Sequence, residues 1–352
     1  MPVEVTAHAR LHCGFLDLTG EGARRFGGIG LSIDEPVVRV RLEACDRLIV
    51  GRVDGAVEGA ADGMPDGAAI GGTDGDDEAG AVAAMVRRLA QLNGLPARGR
   101  IDVMSRIPRH VGLGSGTQLA MAVGRGLATL HGVALEPAEI AAATLRARRS
   151  GIGYHTFQQG GFVVDGGHRP PESARRCAPP PLLARHPVPD AWRIILAIPQ
   201  SARTVSGETE EEAFRRLRPA PQRSAEELSR LILMRLLPAL VEADLPEFGA
   251  ALAEVQEIVG ASFAGAQRGP YHADAAGLVR ALREAGGHGV GQSSWGPAVY
   301  AFSADDAAVD RLRDAAQRAD AHAWIAVARG WNRGASCVVL DAARATQKAP
   351  PR

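Results

Sequence analysis

The sequence predicts an α+β protein built as two domains, and three observations carry that expectation. Its 352 residues match about two units of roughly 150 residues each. The N-terminal stretch alternates like β-strand, whereas the remainder interleaves helical and strand periodicity. A proline-dense run over 169–190 (RPPESARRCAPPPLLARHPVPD) cannot sit inside a helix or a central strand. It therefore separates an N-terminal domain, 1–168, from a C-terminal domain, 191–345, followed by a tail, 346–352.

Taken in order, Val3 to Leu11 alternates as a strand, a glycine-dense segment (Gly20, Gly22, Gly27, Gly28, Gly30) interrupts it, and Val37 to Val40 and Leu48 to Val53 resume it. Gly55 to Gly80 is rich in Gly and Asp and reads as a surface excursion of low order. Ala79 to Leu92 has helical spacing and stops at Asn93-Gly94; Ile101 to Ile107 is a short strand. Thr117 to Leu130 and Pro137 to Arg149 read as helices, and Gly160 to Val164 leads through a strand to the turn Asp165-Gly166-Gly167. Beyond the prolines, Trp192 to Ile198 is a strand, and Ser224-Ala-Glu-Glu227 is a capping box for a helix from Leu228 to Val241. Asp244 caps a helix through Val259, and Asp274 to Ala285 is helical. Gly286 to Gly296 is a glycine loop, Ala298 to Phe302 a strand and Asp305 to Ala319 a helix; Ala323 to Ala328 and Ser336 to Leu340 close the fold as strands.

Composition limits the chemistry. Of 40 basic residues only Lys348 is lysine, which leaves 39 arginines. Codon bias explains most of this imbalance, yet it tells against a Walker lysine, a Schiff base or a low-pKa lysine base. A formal net charge of +0 gives no basic field for nucleic acid and no polybasic membrane anchor. The N-terminus lacks the form of a signal peptide, and no stretch approaches about 18 uninterrupted apolar residues. Cys13, Cys45, Cys177 and Cys337 have no CxxC spacing. A soluble, cytoplasmic protein with reduced thiols is expected.

Three segments carry chemistry. In Pro108-Arg-His-Val-Gly-Leu-Gly-Ser-Gly-Thr-Gln118, glycines precede a helix start, where unpaired N–H groups and about half a positive charge favour an anion. Gly112, Leu113, Gly114, Ser115, Gly116, Thr117 and Gln118 are the candidate phosphate binders; a plain turn capped by Ser115 or Thr117 competes with that reading. The spacing fits neither a P-loop nor a dinucleotide (NAD) fingerprint. In the segment from Arg10 to Gly30, Asp17 could hold a metal or hydroxyl and Arg24 or Arg25 a phosphate, beside Gly27 and Gly28; a surface ion pair competes there. In Gly286 to Pro297, Ser293, Ser294 and Trp295 permit close backbone approach and supply a flat face.

These segments in this order resemble the GHMP kinase superfamily. RLHCGFLDL, RRFGGIGLSI, PRHVGLGSGTQLAMAVG, RSGIGYHTFQQGGFVVDGGH and GVGQSSWGP are more specifically similar to its β-ribofuranosylaminobenzene 5'-phosphate synthase family. The resemblance implies a ribosomal S5 domain 2-like N-terminal domain and a ferredoxin-like α+β C-terminal domain. It implies a C-glycoside synthase joining phosphoribosyl pyrophosphate to 4-aminobenzoate or 4-hydroxybenzoate, with loss of CO2 and pyrophosphate, in tetrahydromethanopterin biosynthesis. Mg2+ held by Asp17 is implied, with no pyridoxal phosphate (PLP), and so is a homodimer. Asp17, Arg24 and Arg25 take the catalytic roles in this picture. His155 and Gln158, in an aromatic run, join Trp295 as candidates for the aromatic acid. Kinases of the superfamily usually continue GLGS with serine, whereas Gly116-Thr117-Gln118 follows here, which favours the synthase. An ATP-dependent small-molecule kinase and a noncatalytic phosphate-ligand-binding relative are the alternatives.

Overall fold

The computed structural model describes residues 1–18, 24–52, 75–169, 178–200, 222–267 and 269–341. Most of the expected excursion at 55–80, and the tail, lie outside them. Among the described residues the N-terminal half holds β1 (Val3–Asp17), β2 (Phe26–Glu43), β3 (Leu48–Arg52), α1 (Gly75–Asn93), β4 (Gly99–Ser105), α2 (Ser115–Leu130), α3 (Pro137–Ala143), α4 (Ile152–Gln159), β5 (Phe162–Asp165) and β6 (Leu182–His186). The C-terminal half holds β7 (Arg193–Ile198), α5 (Gln222–Leu231) running through a π-helical turn at Ile232–Leu236 into α6 (Leu237–Val241), and α7 (Leu245–Gln267). It continues with α8 (Ala276–Glu284), β8 (His288–Gln292), β9 (Val299–Ser303), α9 (Asp306–Ala319), β10 (Trp324–Ala328) and β11 (Ser336–Val339).

Two sheets result, and the α+β expectation holds. The first has seven strands along the path β11-β1-β2-β4-β3, with β5 and β6 branching from β2. The branch exists because β2 is long: Arg39 to Glu43 pair with β4, while Gly28 to Leu31 pair with β5. The second sheet has the order β10-β7-β9-β8 with antiparallel neighbours. With its helices this is a βαββαβ arrangement, as expected of a ferredoxin-like unit. Alternation along β7 gives that sheet two apolar faces: Ile194, Leu196 and Ile198 join the main core, while Ile195 and Ala197 pack with Leu278 of α8 and Leu312 of α9.

Several elements depart from the sequence reading. The glycine-dense segment is partly strand, because Gly27, Gly28 and Gly30 belong to β2. A Cβ at Gly30 would overlap the Leu11 carbonyl, so these bare positions let α4 lie directly on the sheet. Helix α4 itself, IGYHTFQQ, has composition unfavourable to a helix and is held by burial of Ile152 through Phe157. Helix α3 stops at Ala143 instead of Arg149, since Leu145 and Ala147 take φ near +57° and +56°. Part of the proline-rich segment pairs into the first sheet as β6, and β11 returns to pair with β1, so the chain crosses between the two sheets more than once. Ser224 lies inside α5, which begins at Gln222, so the capping box is not the helix start. Asp244 does cap α7, accepting from Glu247 N at 3.0 Å. The residues from His288 to Gln292, expected as loop, are strand β8. No helix among the described residues is long and apolar enough to cross a membrane.

The sheets meet across an aromatic cluster. Phe248 of α7 is buried with its ring 4.8 Å from Trp192, 5.3 Å from Phe302 and 6.0 Å from Phe162 of β5. Phe248→Ala is expected to cost about 3–5 kcal/mol, the usual result of emptying a packed aromatic site, measured by urea denaturation. A cost below about 1 kcal/mol would mean the cluster does not join the sheets.

Candidate active site

The glycine loop begins where β4 ends. Gly114 caps α2 at φ 80° with no side-chain cap, so neither Ser115 nor Thr117 is the N-cap. The Gly114 carbonyl accepts from Thr117 N at 3.0 Å and Gln118 N at 3.1 Å. Ser115 and Gly116 remain as the first-turn residues that border a cavity of about 160 Å³, together with Glu78, Met85, Ile107, Arg109 and Arg146. Arg106, also at this cavity, is paired with Glu78 at 3.2 Å. Arg146 differs: its Nε is buried without a hydrogen-bond partner, and burial together with the Arg109 charge pushes its pKa down. A Cβ on Gly116 would lie 3.2 Å from its guanidinium, so the cation rests against the bare start of α2. Apolar walls, the start of α2, arginines and the Glu78 carboxylate line this cavity, a setting chemically suited to an anion.

The third segment folds onto the other two through one serine. Ser293 Oγ donates to the Gly112 carbonyl at 2.7 Å and accepts from His12 N at 3.0 Å. Gly112 sits at φ 94°, and any Cβ there would overlap the Ser293 carbonyl oxygen. Arg10 completes the seam, donating from Nη1 to the Gly112 carbonyl and from its backbone N to Leu113 O at 3.1 Å. Ser294, at φ 57°, donates its N–H to the His12 carbonyl at 3.1 Å.

Behind β2 lies a buried carboxylate. Asp165 is fully buried; burial pushes its pKa up to about 6 against hydrogen bonds from Gly167 N and Gly151 N, both 2.9 Å, and weaker help from Ser150 and Arg24. Ser150 Oγ lies 3.4 Å from Asp165 Oδ2 and 3.1 Å from His12 Nε2. A Cβ at Gly28 would stand 3.3 Å from both Asp165 Oδ2 and His12 Nε2, so the missing side chain leaves these groups their room. Burial, then Arg10, hold the His12 pKa down to about 3. His12 also lines a narrow cleft with Phe15, Gln256, Phe263, Tyr271 and Gln292.

The sequence candidates fall into two groups. Gly28, Gly112, Gly114, Ser115, Gly116, Ser293 and Ser294 come together around the seam and the cavities. Gly27 lies beside them, where a Cβ would meet the Asp165 carbonyl. Arg24 spends its guanidinium on the Gly166 and Gly167 carbonyls and thereby shapes the turn that holds Asp165. Arg25 is exposed and joins His168 by a backbone bridge; half-buried Asp17 ends β1 opposite Phe26. The remaining candidates make structural contacts. The Leu113 side chain is core, Thr117 packs on Gly153, and Gln118 donates to Gly153 O at 2.9 Å. His155 contacts Pro180 O at 2.8 Å, Gln158 hydrogen-bonds Tyr154, and Trp295 stacks edge-on to Phe263 at 4.5 Å.

Sequence reasoning assigned no role to His12, Arg109, Arg146, Ser150 or Asp165. The available signal was an acid directly before Gly166-Gly167 at a strand end, where adjacent glycine N–H groups suit a carboxylate. Nothing in the local pattern marks Arg146 among its neighbouring arginines. For Mg2+, no group of three metal-binding side chains occurs among the described residues. Asp165 is turned to backbone donors, Glu78 is paired with Arg106, and half-buried Asp17 lines neither cavity.

Fold and loop together define a GHMP-type protein. Residues 79–162 match the GHMP kinases N terminal domain and 236–322 the GHMP kinases C terminal domain. The homoserine kinase of Cytophaga hutchinsonii has the same fold, with a TM-score of 0.63 at 17% identity over 96% of this chain and 97% of its own. Sequence relatives are nearer. The β-ribofuranosylphenol 5'-phosphate synthase of Methanothermobacter thermautotrophicus is 35% identical over 94% of this chain and 97% of its own length. That of Archaeoglobus fulgidus is 36% identical over 87% and 90%. The chain belongs to the β-ribofuranosylphenol 5'-phosphate synthase family.

Asp165 links stability to pH. Its folded pKa of about 6 exceeds the unfolded value of about 4, so its contribution is full below about pH 4 and is lost as pH rises through 6. Relative to Asp165→Asn, the wild type should lose on the order of 3 kcal/mol between pH 4 and pH 7. Urea denaturation at both pH values measures this; a constant difference would show that Asp165 is not held as described.

Proposed function

We propose that the protein is a β-ribofuranosylphenol 5'-phosphate synthase of methanopterin biosynthesis. It joins phosphoribosyl pyrophosphate to a para-substituted benzoate, 4-hydroxybenzoate or 4-aminobenzoate, and releases CO2 and pyrophosphate. The name shared by its relatives favours the hydroxy acid. The observation that carries the reading is Arg146 lying with Arg109 at the lysine-free start of α2. A buried arginine with its Nε unpartnered suits a ligand bearing several negative charges, because each loses less by leaving water when the other is present.

In this reading the pyrophosphate sits on Ser115 and Gly116 N–H groups and on the arginines. Fixed donors and permanent cations stabilise the charge that grows as the ribose–oxygen bond breaks, and they need no reorganisation at that moment. Mg2+ bound with the substrate would neutralise the leaving pyrophosphate. Asp17, at the end of β1, is the carboxylate proposed to hold that ion together with substrate phosphate oxygens, and Arg24 keeps the Gly166-Gly167 turn in place. The ring carbon bearing the carboxylate attacks the ribose carbon, and loss of CO2 restores aromaticity, so no pyridoxal group is needed. Small molecules, without nucleic acid or membrane, are its partners; a cytoplasmic homodimer is part of the proposal.

The purified protein should release labelled CO2 from carboxyl-labelled hydroxybenzoate only when phosphoribosyl pyrophosphate is present. ATP-dependent phosphorylation of a small alcohol would point to a kinase instead. Arg146→Met should lower kcat/KM for phosphoribosyl pyrophosphate by on the order of 10²-fold. Its Tm should change little, because the Nε removed has no hydrogen-bond partner to lose; an unchanged kcat/KM would remove Arg146 from the site.

A further inference from the structure

We propose that the apolar part of the cavity between α1 and α2 holds the ring of the aromatic acid, and that Glu78, paired with Arg106, accepts the hydrogen bond of its para substituent. This rests on the function proposed above and adds where the acceptor lies and what reads its substituent. The lining changes character along both helices. On α1, Glu78, Ala81, Val82 and Met85 recur at the spacing of one helical face, so a carboxylate is followed by apolar side chains. On α2, Leu119 and Ala120 stand one turn beyond Ser115 and Gly116, so the anion-binding start is followed by an apolar patch.

Phosphoribosyl pyrophosphate uses only the polar part of this lining. Ser115, Gly116 and Arg146 suit its charges, but a phosphorylated sugar has no apolar surface to set against Val82, Met85, Ile107 and Leu119. The free volume is about 160 Å³, close to the roughly 150 Å³ of an apolar protein cavity that takes up benzene. A benzoate ring therefore finds both room and apolar contacts there. Its carboxyl-bearing carbon has to meet the ribose carbon that holds the pyrophosphate. That end of the ring accordingly faces the start of α2, and the para substituent faces away from it.

Glu78 is placed to meet that substituent. It precedes Met85 by two helical turns, about 10 Å along the axis of α1. Farther along the same helix Arg88 Nε donates to Ala143 O at 2.8 Å, which sets the Met85 half of α1 beside the end of α3 and the turn carrying Arg146. Glu78 belongs to the other half. Its side chain is 11% exposed, and among the described residues its partner is Arg106, whose Nη2 lies 3.2 Å from Oε2. Arg106 is 33% exposed and keeps contact with water, so Glu78 is the more deeply placed of the two. One partner leaves most of the acceptor capacity of a largely buried carboxylate unused, which is costly unless a ligand donor fills it. A hydroxyl and an amino group both donate to a carboxylate. The hydroxyl also offers a lone pair to Arg106, whereas the lone pair of the amino group is drawn into the ring, so the Glu78–Arg106 pair favours the phenol. A methyl group in the same place would cover the carboxylate and give it no donor.

The assignment is tested by steady-state CO2 release from 4-hydroxybenzoate, and by its inhibition with 4-methylbenzoate, in wild type, Glu78→Met, Glu78→Gln and Ala81→Leu. Glu78→Met should raise KM for hydroxybenzoate by on the order of 10²-fold and leave KM for phosphoribosyl pyrophosphate within about threefold. The same variant should lower Ki for methylbenzoate by about tenfold, because the methyl group no longer covers a charge. Glu78→Gln, which keeps an acceptor oxygen, should fall between wild type and Glu78→Met. Ala81 is exposed on α1, so Ala81→Leu spares the core and narrows the cavity. It should raise KM for hydroxybenzoate and Ki for methylbenzoate together, each by about tenfold, and it decides the location should the Glu78 variants fail to fold. Unchanged constants in Ala81→Leu would overturn the placement of the ring. Parallel changes for the two acids in Glu78→Met, or none, would overturn the role of Glu78. Either result with an active wild type leaves the functional reading standing. No CO2 release by the wild type would overturn that reading and this assignment with it.

Discussion

One hydroxyl ties together the parts on which this site depends. Ser293 Oγ accepts from the backbone of β1 and donates to the carbonyl at the head of the glycine loop, so three segments distant along the chain meet at a single atom. Ser293 is fully buried. Removing the hydroxyl would take the acceptor from the buried His12 N–H, while the Gly112 carbonyl keeps Arg10 Nη1, so the cost falls mainly on the donor left unpaired. The close approach is possible because Gly112 carries no side chain and takes a left-handed φ. Loop position, helix N-terminus and cleft wall all follow from this one seam.

Around the seam the cavity arginines and the buried Asp165 stand apart. Arg146 and Arg109 stand on one side of the glycine loop, beside apolar side chains of α1 and α2, and Asp165 lies behind β2. Arg24, which could have paired with Asp165 directly, instead grips the carbonyls of the following turn. A direct ion pair would lower the Asp165 pKa. The cavity beside the glycine loop presents arginines and no lysine, and arginine charge is permanent.

Much of the fold was legible in the sequence because its elements carry their own periodicity. Helices α1, α2, α7 and α9 and strands β1, β7, β9 and β10 follow from apolar spacing and caps such as Asp244 and Asp305. The misread parts were those whose conformation is decided by neighbours. Glycines at 28 and 30 look like a loop until Ile152 of α4 is seen lying on them, and HGVGQ looks like a loop until β9 pairs with it. The π-helical turn at Ile232–Leu236 likewise has no local signature. Among site residues, the glycine loop and Ser293 were found from steric reasoning. Asp165 reads as a turn residue, and Arg146 falls inside the helix expected to Arg149 with nothing to single it out.

The sequence by itself determined the α+β class, the family and the three chemistry-bearing segments, because each is a property of residues close along the chain. Tertiary structure alone decided which charged groups are buried and which are paired. Whether an arginine is solvated or desolvated, and whether an aspartate is exposed or buried on backbone donors, depends on what surrounds it in space. Desolvation and pairing come from residues as distant as Arg24 and Asp165 or His12 and Ser150. Such energies are set by position in three dimensions, and a linear pattern carries no measure of them.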